Sequence, residues 1–303
     1  MKMKMLTALI AGIAVLFSVQ SYAGIIESLP AETRLVAKAD MQALKGSDLY
    51  KSVREKFASK FLNGEAMLLQ ASGLDFNKVK TLWLAAIEEN KGVFVIEGDF
   101  NANDISAAVS ANRENEIVTR TGSLFAAMCP DKRQNKKNLA ILIDRNTAVV
   151  GDPIVAEEFL KYYTSGKGGM APEKISSLNA CFSGSYIIKA SLLGFKPDDL
   201  VKNPFLANVT AAEICISFTN GLTADAKLLM KGEENVMAVE QIIKGFVSIA
   251  KANPNADEKS KEIRDEFFNN LSINRNGLEL TASTKIAGDT IDRLISMQEG
   301  EDN

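Results

Sequence analysis

Two stretches of this chain repeat one another without a gap. Residues 35–49, LVAKADMQALKGSDL, align with residues 186–200, YIIKASLLGFKPDDL, at an offset of 151. Lys38 falls on Lys189, Ala39 on Ala190, Lys45 on Lys196, Asp48 on Asp199 and Leu49 on Leu200, five identities in fifteen positions. The order of elements after each stretch also agrees. A chain built this way is constrained to two related halves, each able to bury its own apolar surface.

In the first half the pattern predicts a strand at 34–44 and a helix at 47–62. Leu49, Val53, Phe57 and Phe61 at i+4 spacing give that helix one apolar face, with Ser47 as its N-cap. A short helix at 64–72 follows, then strands at 79–87 and 93–100 around Glu89-Asn90-Lys91-Gly92. A helix at 103–113 carries Ile105, Ala108 and Val109, and strands follow at 116–121, 139–144 and 147–150. Asp152 and Pro153 then open a helix running to Tyr163, with Asp as cap and Pro in the first turn.

The second half predicts a strand at 183–193 and a short helix at 197–203. A hairpin of 212–219 and 222–230 turns at Asn220-Gly221, a dipeptide that tolerates positive φ at both positions. An amphipathic helix at 234–251 shows Val236, Val239, Ile243, Phe246, Val247 and Ala250 on one face. A charged helix at 257–267 follows, then a hairpin of 270–274 and 278–284 around Asn276-Gly277, and a closing helix at 289–297. Alternation in Leu222-Thr223-Ala224-Asp225-Ala226-Lys227-Leu228 gives a sheet with one buried and one wet face. The fold class expected is α+β: two tandem related halves, each a mainly antiparallel sheet with helices on one face.

Residues 1–23 have the form of a secretory signal peptide. Lys2 and Lys4 precede an uncharged, mostly apolar run of 14 residues, and small residues stand before Gly24. The run is short of the roughly 20 apolar residues a membrane span requires. The expected organisation is a leader at 1–23, a first half at 24–165, a linker at 166–172 and a second half at 173–303. Its location would be periplasmic or secreted, with no membrane span in the mature chain. Without Lys2 and Lys4 the mature chain carries 33 basic and 38 acidic residues, net −5. An acidic total and few aromatics beside the basic cluster Lys132, Arg133, Lys136 and Lys137 point away from nucleic acid. Cys129, Cys181 and Cys215 allow at most one internal disulfide, with Cys181–Cys215 and Cys129–Cys181 both open.

Three further segments carry a likeness. Leu29-Pro30-Ala31 leads into the first strand and helix, Gly73-Leu74-Asp75 precedes the first hairpin, and Val150-Gly151-Asp152 opens a later helix. Together they resemble a group of secreted bacterial envelope proteins to which no activity is assigned. The likeness spans most of the mature chain and implies a fold, not a reaction.

The chemistry available is narrow. With no His in 303 residues, His-dependent triads, His metal sites and the usual near-neutral base are excluded. Gly166-Lys167-Gly168-Gly169 lacks the first Gly of a phosphate loop, where Lys161 stands, and the Ser or Thr after Lys, where Gly168 stands; a flexible linker accounts for it. Ser248 and Lys251 match Ser-x-x-Lys, but the companion Ser-Asp-Asn and Lys-Thr-Gly strings do not occur. Glu88 with Glu89, and Asp144 with Asp152, are carboxylates at strand ends and caps, and one Trp, Trp83, is poor material for a sugar cleft. No catalytic, cofactor-binding or metal-binding residue is assigned, and no cofactor is expected. The expectation is a non-catalytic envelope protein that binds another protein or has a structural role. The alternative is a carrier or sensor of an apolar ligand such as a lipid.

Overall fold

The computed structural model describes residues 24–88, 90–131, 134–194, 208–252 and 258–297. The leader, Glu89, Lys132, Arg133 and the helix expected at 197–203 lie outside them. The described chain contains one twelve-stranded antiparallel sheet. Its strands are β1 (Leu35–Asp40), β2 (Thr81–Glu88), β3 (Lys91–Glu97), β4 (Glu116–Ile117), β5 (Phe125–Asp131) and β6 (Lys136–Leu142). They continue with β7 (Thr147–Gly151), β8 (Ile188–Leu192), β9 (Val209–Ser217), β10 (Leu222–Met230), β11 (Ser272–Asn276) and β12 (Glu279–Ile286). The spatial order is β11-β12-β10-β9-β8-β1-β2-β3-β7-β6-β5-β4.

The two halves meet edge to edge, because β1 pairs antiparallel with β8. Lys38 lies opposite Lys189, with Ala37 opposite Ala190 and Ala39 opposite Ile188. The ungapped alignment equates Lys38 with Lys189, Ala37 with Ile188 and Ala39 with Ala190, so the antiparallel pairing crosses the flanking positions and gives the seam a local two-fold relation centred on the lysine pair. Outward from the seam one half runs β1-β2-β3-β7-β6 and the other β8-β9-β10-β12-β11. In each, a seam strand is followed by a hairpin and then by a second hairpin entered in reverse. The first half alone adds β5 and β4 at its outer edge.

Nine helices of the described residues accompany the sheet: α1 (Met41–Gly46), α2 (Asp48–Lys56), α3 (Ala58–Ser72), α4 (Ala102–Ala111), α5 (Pro153–Ser165), α6 (Pro172–Phe182), α7 (Glu233–Ala252), α8 (Glu258–Asn269) and α9 (Gly288–Met297). The mixed α+β class and antiparallel pairing are as expected. In the first half the helices take both faces. Val93, Val95, Ile141 and Val149 pack with Val155, Phe159 and Leu160 of α5. Ala127, Leu142 and Ala148, on the other face, pack with Ile105 and Val109 of α4. Val236 of α7 closes a third cluster with Met230 and Leu280.

Local sequence explains most boundaries. The expected strand at 34–44 stops at Asp40, whose carboxylate accepts from Ala43 N at 2.8 Å and caps α1. The two helices expected at 47–62 and 64–72 are α2 and α3, but the break between them falls earlier, at Phe57, so that α3 takes in the end of the first expected helix and all of the second. The apolar spacing serves the break, for Tyr50 and Phe61 meet edge to face at 5.8 Å and Arg54 pairs with Glu65 at 2.9 Å. Asp152 accepts from Ile154 N and Val155 N, with Pro153 in the first turn of α5. Gly151 is required by close approach: a Cβ there would collide with the backbone of Gly92 and Val93 in β3. Asn220 and Gly221 both take positive φ, 55° and 112°. Three elements, α1, β5 and α6, have no counterpart in the sequence expectation.

Candidate functional site: an uncovered apolar row across the sheet

Directly opposed residues of antiparallel strands share a face. One such row crosses eight strands: Ala226, Ile214, Ala190, Ala37, Leu84, Phe94, Val150 and Ala140. Every side chain in it is apolar, and none is buried. Phe94 is 47% exposed and Ile214 50%. The neighbouring row on the same face behaves differently. Ala39, Leu82, Ile96 and Ala148 there pack into the cluster that α1 and α4 cover. Among the described residues the helices close the ends of this face, and the row between them, which includes the seam, is half-buried at six positions and exposed at Phe94 and Ile214.

The small side chains at the seam matter to its shape. Ala37 and Ala190 face each other across β1 and β8, between the bulkier Ile214 on one side and Leu84 and Phe94 on the other. Small side chains at the seam thus stand between larger apolar ones in the same row. Such a surface can take an alkyl chain by dispersion and water release, and it offers no reactive group.

The opposite face of β10 is polar. Asp225 accepts from Ser283 Oγ, and Lys227 reaches Glu279 at 3.3 Å and Glu213 at 3.9 Å. Partial desolvation works against the Lys227 ammonium, but Glu213 and Glu279 outweigh it and raise its pKa. Alternation along β10 thus separates a polar face from an apolar one, but in place of the expected buried and wet faces both are half-buried, with only Met230 fully buried.

Additional apolar surface lies on α3, a helix with no buried residue, where Leu62, Met67 and Leu69 are 59%, 70% and 50% exposed. On α7, Phe246 and Ile249 are 67% and 70% exposed. Isolated apolar residues on a surface are ordinary, but several on one helix are less so.

The residues weighed from sequence have structural positions. Gly166 is the left-handed C-cap of α5, and Gly169 N donates to Glu27 O at 3.2 Å, so the glycine stretch is a packed connector. Ser248 Oγ donates to Lys244 O within its own helix at 2.9 Å. Glu88 pairs with Lys91 at 3.5 Å, and its expected companion Glu89 is outside the described residues. Asp144 precedes β7 and Asp152 follows it, so the strand holds the two apart. Asp144 accepts from Asn146 N at 2.7 Å and from Tyr163 Oη at 3.4 Å. Of the basic cluster, Lys137 pairs with Glu116 at 2.9 Å and Lys136 donates to Asn90 O at 3.0 Å.

Cys129, Cys181 and Cys215 are all free thiols. Burial pushes the Cys181 thiol up to about 11, with Glu213 adding to the effect. Among the described residues no group of three acidic or Cys side chains could hold a metal ion. No described helix is long and apolar enough to cross a membrane.

No protein-family model and no curated protein matches the chain. Solved structures do. The chain is similar to TP0453 in its crystal form I, with a TM-score of 0.50, 9% identity, and coverage of 91% of this chain and 98% of that one. It is also similar to crystal form IV of TP0453, with a TM-score of 0.54, 10% identity, and coverage of 93% and 98%. At such identity the likeness concerns the fold alone. It extends over nearly the whole of both chains, so the architecture of both halves recurs in another protein.

The sequence shows only part of this row. Alternation in β2, β9 and β10 marks which residues share a face. Where the helices land, and hence which part of that face stays open, is a tertiary property.

Proposed function

We propose that this is a non-catalytic exported protein of the cell envelope that binds an apolar ligand such as a lipid along the open row of its sheet. The observation carrying the reading is that eight apolar residues on eight adjacent strands lie in line and none is buried. A folded chain gains by covering such surface, at about 25 cal/mol per Å2. Leaving it open across the middle of the molecule fits a surface used by something else. The leader-like first 23 residues and the likeness to secreted envelope proteins support export. The matching strand orders about the β1–β8 seam support a tandem copy of one module.

The test is to purify the protein from its own compartment without detergent and to analyse extracted ligands by mass spectrometry. The expected result is a bound acyl lipid in stoichiometric amount. Protein that is empty on repeated preparation contradicts the reading.

A second reading, binding to another protein, is favoured by the bare apolar surface of α3. Photo-crosslinking from position 69, in place of Leu69, in whole envelopes tests it. A discrete crosslinked band supports a protein partner, and its repeated absence counts against one.

A further inference from the structure

A cavity lies on the face opposite the apolar row, and its chemistry is different. It has a volume of about 370 Å3 and sits among the N-terminal segment, β1, β2, β3 and the end of α6. That size is within the usual range for small-ligand pockets. Its wall is Trp83, which is 6% exposed and packs edge to face on Phe182 at 5.3 Å. Ile25 and Ile26 supply further apolar lining.

Two opposite charges are fixed against that one indole. The Lys38 ammonium stands over the ring, 5.0 Å from its centre. At the ring's edge, Trp83 Nε1 donates to Glu97 Oε2 at 2.7 Å. Both charged groups line the cavity, as does Glu27, and Lys38 forms no ion pair with either carboxylate. The contrast with Lys189, its partner across the seam, is informative. Lys189 is 3% exposed, and its ammonium is taken up by Cys181 O and Ser183 O at the end of α6. Lys38 has no such backbone partner, so its charge is available to whatever enters the cavity.

We propose that this cavity binds a small zwitterion: a free amino acid or short peptide with an apolar side chain. Its carboxylate pairs with Lys38, with the Asn179 amide beside it, and its ammonium pairs with Glu97 and Glu27. The apolar side chain packs on Ile25, Ile26 and Phe182. A ligand with both charges complements both fixed groups. A ligand with one charge leaves the other desolvated and unpaired, which costs affinity. The site shares no residue with the apolar row, so either proposal can fail without the other.

Trp83 is the chain's single Trp, and its emission therefore reports on this cavity directly. The experiment titrates the whole mature protein with L-leucine and the dipeptide Leu-Leu, then with N-acetyl-leucine and leucinamide. The expected result is a saturable change in emission with leucine or the dipeptide. Each single-charge analogue should bind about tenfold or more weakly. Lys38→Met and Glu97→Gln should weaken binding by a similar factor while lowering the thermal midpoint by no more than about 2 °C; Gln retains an acceptor for the indole. No saturable change with leucine or Leu-Leu overturns the proposal. So does leucinamide or N-acetyl-leucine binding as tightly as the parent, a result read on the unaltered protein and independent of how the variants fold.

Discussion

Lys38 and Lys189 stand directly opposite one another where β1 pairs with β8, yet their ammonium groups do different things. Lys189 turns under α6 and donates to two main-chain carbonyls, those of Cys181 and Ser183. Lys38 lies over the Trp83 ring beside a cavity. Two residues at matching positions of the two halves thus serve the fold in one case and remain available in the other. A like-charged pair is tolerated at the seam because the side chains diverge to these separate partners.

The pair predicts unequal stability effects. Lys189→Met removes charge-assisted hydrogen bonds and leaves carbonyls at the α6 terminus without their donor, a loss of about 2 kcal/mol. Lys38→Met removes only a contact with the ring, at a cost of about 0.5 kcal/mol. Urea denaturation of the two variants beside the parent measures the difference. Equal losses would mean that Lys189 does not hold α6 in place.

The start of α5 predicts a second pair. Asp152→Ala leaves Ile154 N and Val155 N without their acceptor and should cost about 1 kcal/mol. Gly151→Ala should cost more, because the added Cβ meets backbone atoms of Gly92 and Val93, not the end of a movable side chain. Thermal unfolding midpoints should fall in that order. A Gly151→Ala variant as stable as the parent would contradict the packing of β7 on β3.

Cys181 predicts an alkaline loss of stability. Its thiol is raised from 9.0 to about 11 in the folded chain, chiefly by burial. Between those two values the folded chain holds more protons than the unfolded one, so stability falls as pH rises through the window. Below the lower value the contribution is fully present. Urea midpoints at a series of alkaline pH values should decline less steeply for Cys181→Ala than for the parent. Iodoacetamide should label Cys181 slowly near neutral pH in the folded protein and quickly after unfolding. Fast labelling of the native thiol near neutral pH would show that it is neither shielded nor raised.

Much of the fold could be read from residue order, and the reasons differ by element. Asp152-Pro153 and Asn220-Gly221 are local signals, satisfied by bonds or dihedrals within a few residues, and both are realised. Strand β5 was not foreseen because Ala126 and Ala127 blur its alternation and Pro130 argues against a strand; the structure places it near the outer edge, followed only by the two-residue β4. Helix α6 was not foreseen because only Leu178 and Cys181 in it are buried, too few to set a period. The break between α2 and α3 is invisible to an i+4 pattern, which continues across Phe57 although the helix axis does not.

The candidate sites divide along the same line. The alternation of β10 shows that Ala224 and Ala226 share a face and that Asp225 does not. The openness of the row depends on helices distant in sequence. The cavity beside Trp83 draws Glu27, Lys38, Glu97 and Asn179 from four separate segments, and no spacing in the sequence connects them.

The measurement that bears most directly on the central claim compares bound lipid in three proteins purified in parallel from the native compartment. The parent should carry an acyl lipid visible by native mass spectrometry. Ile214→Arg, which puts a charge into the open row, should lose it. Thr223→Arg, on the polar face of β10, should retain it. Parent protein without lipid, or Ile214→Arg carrying as much as the parent, would contradict the account.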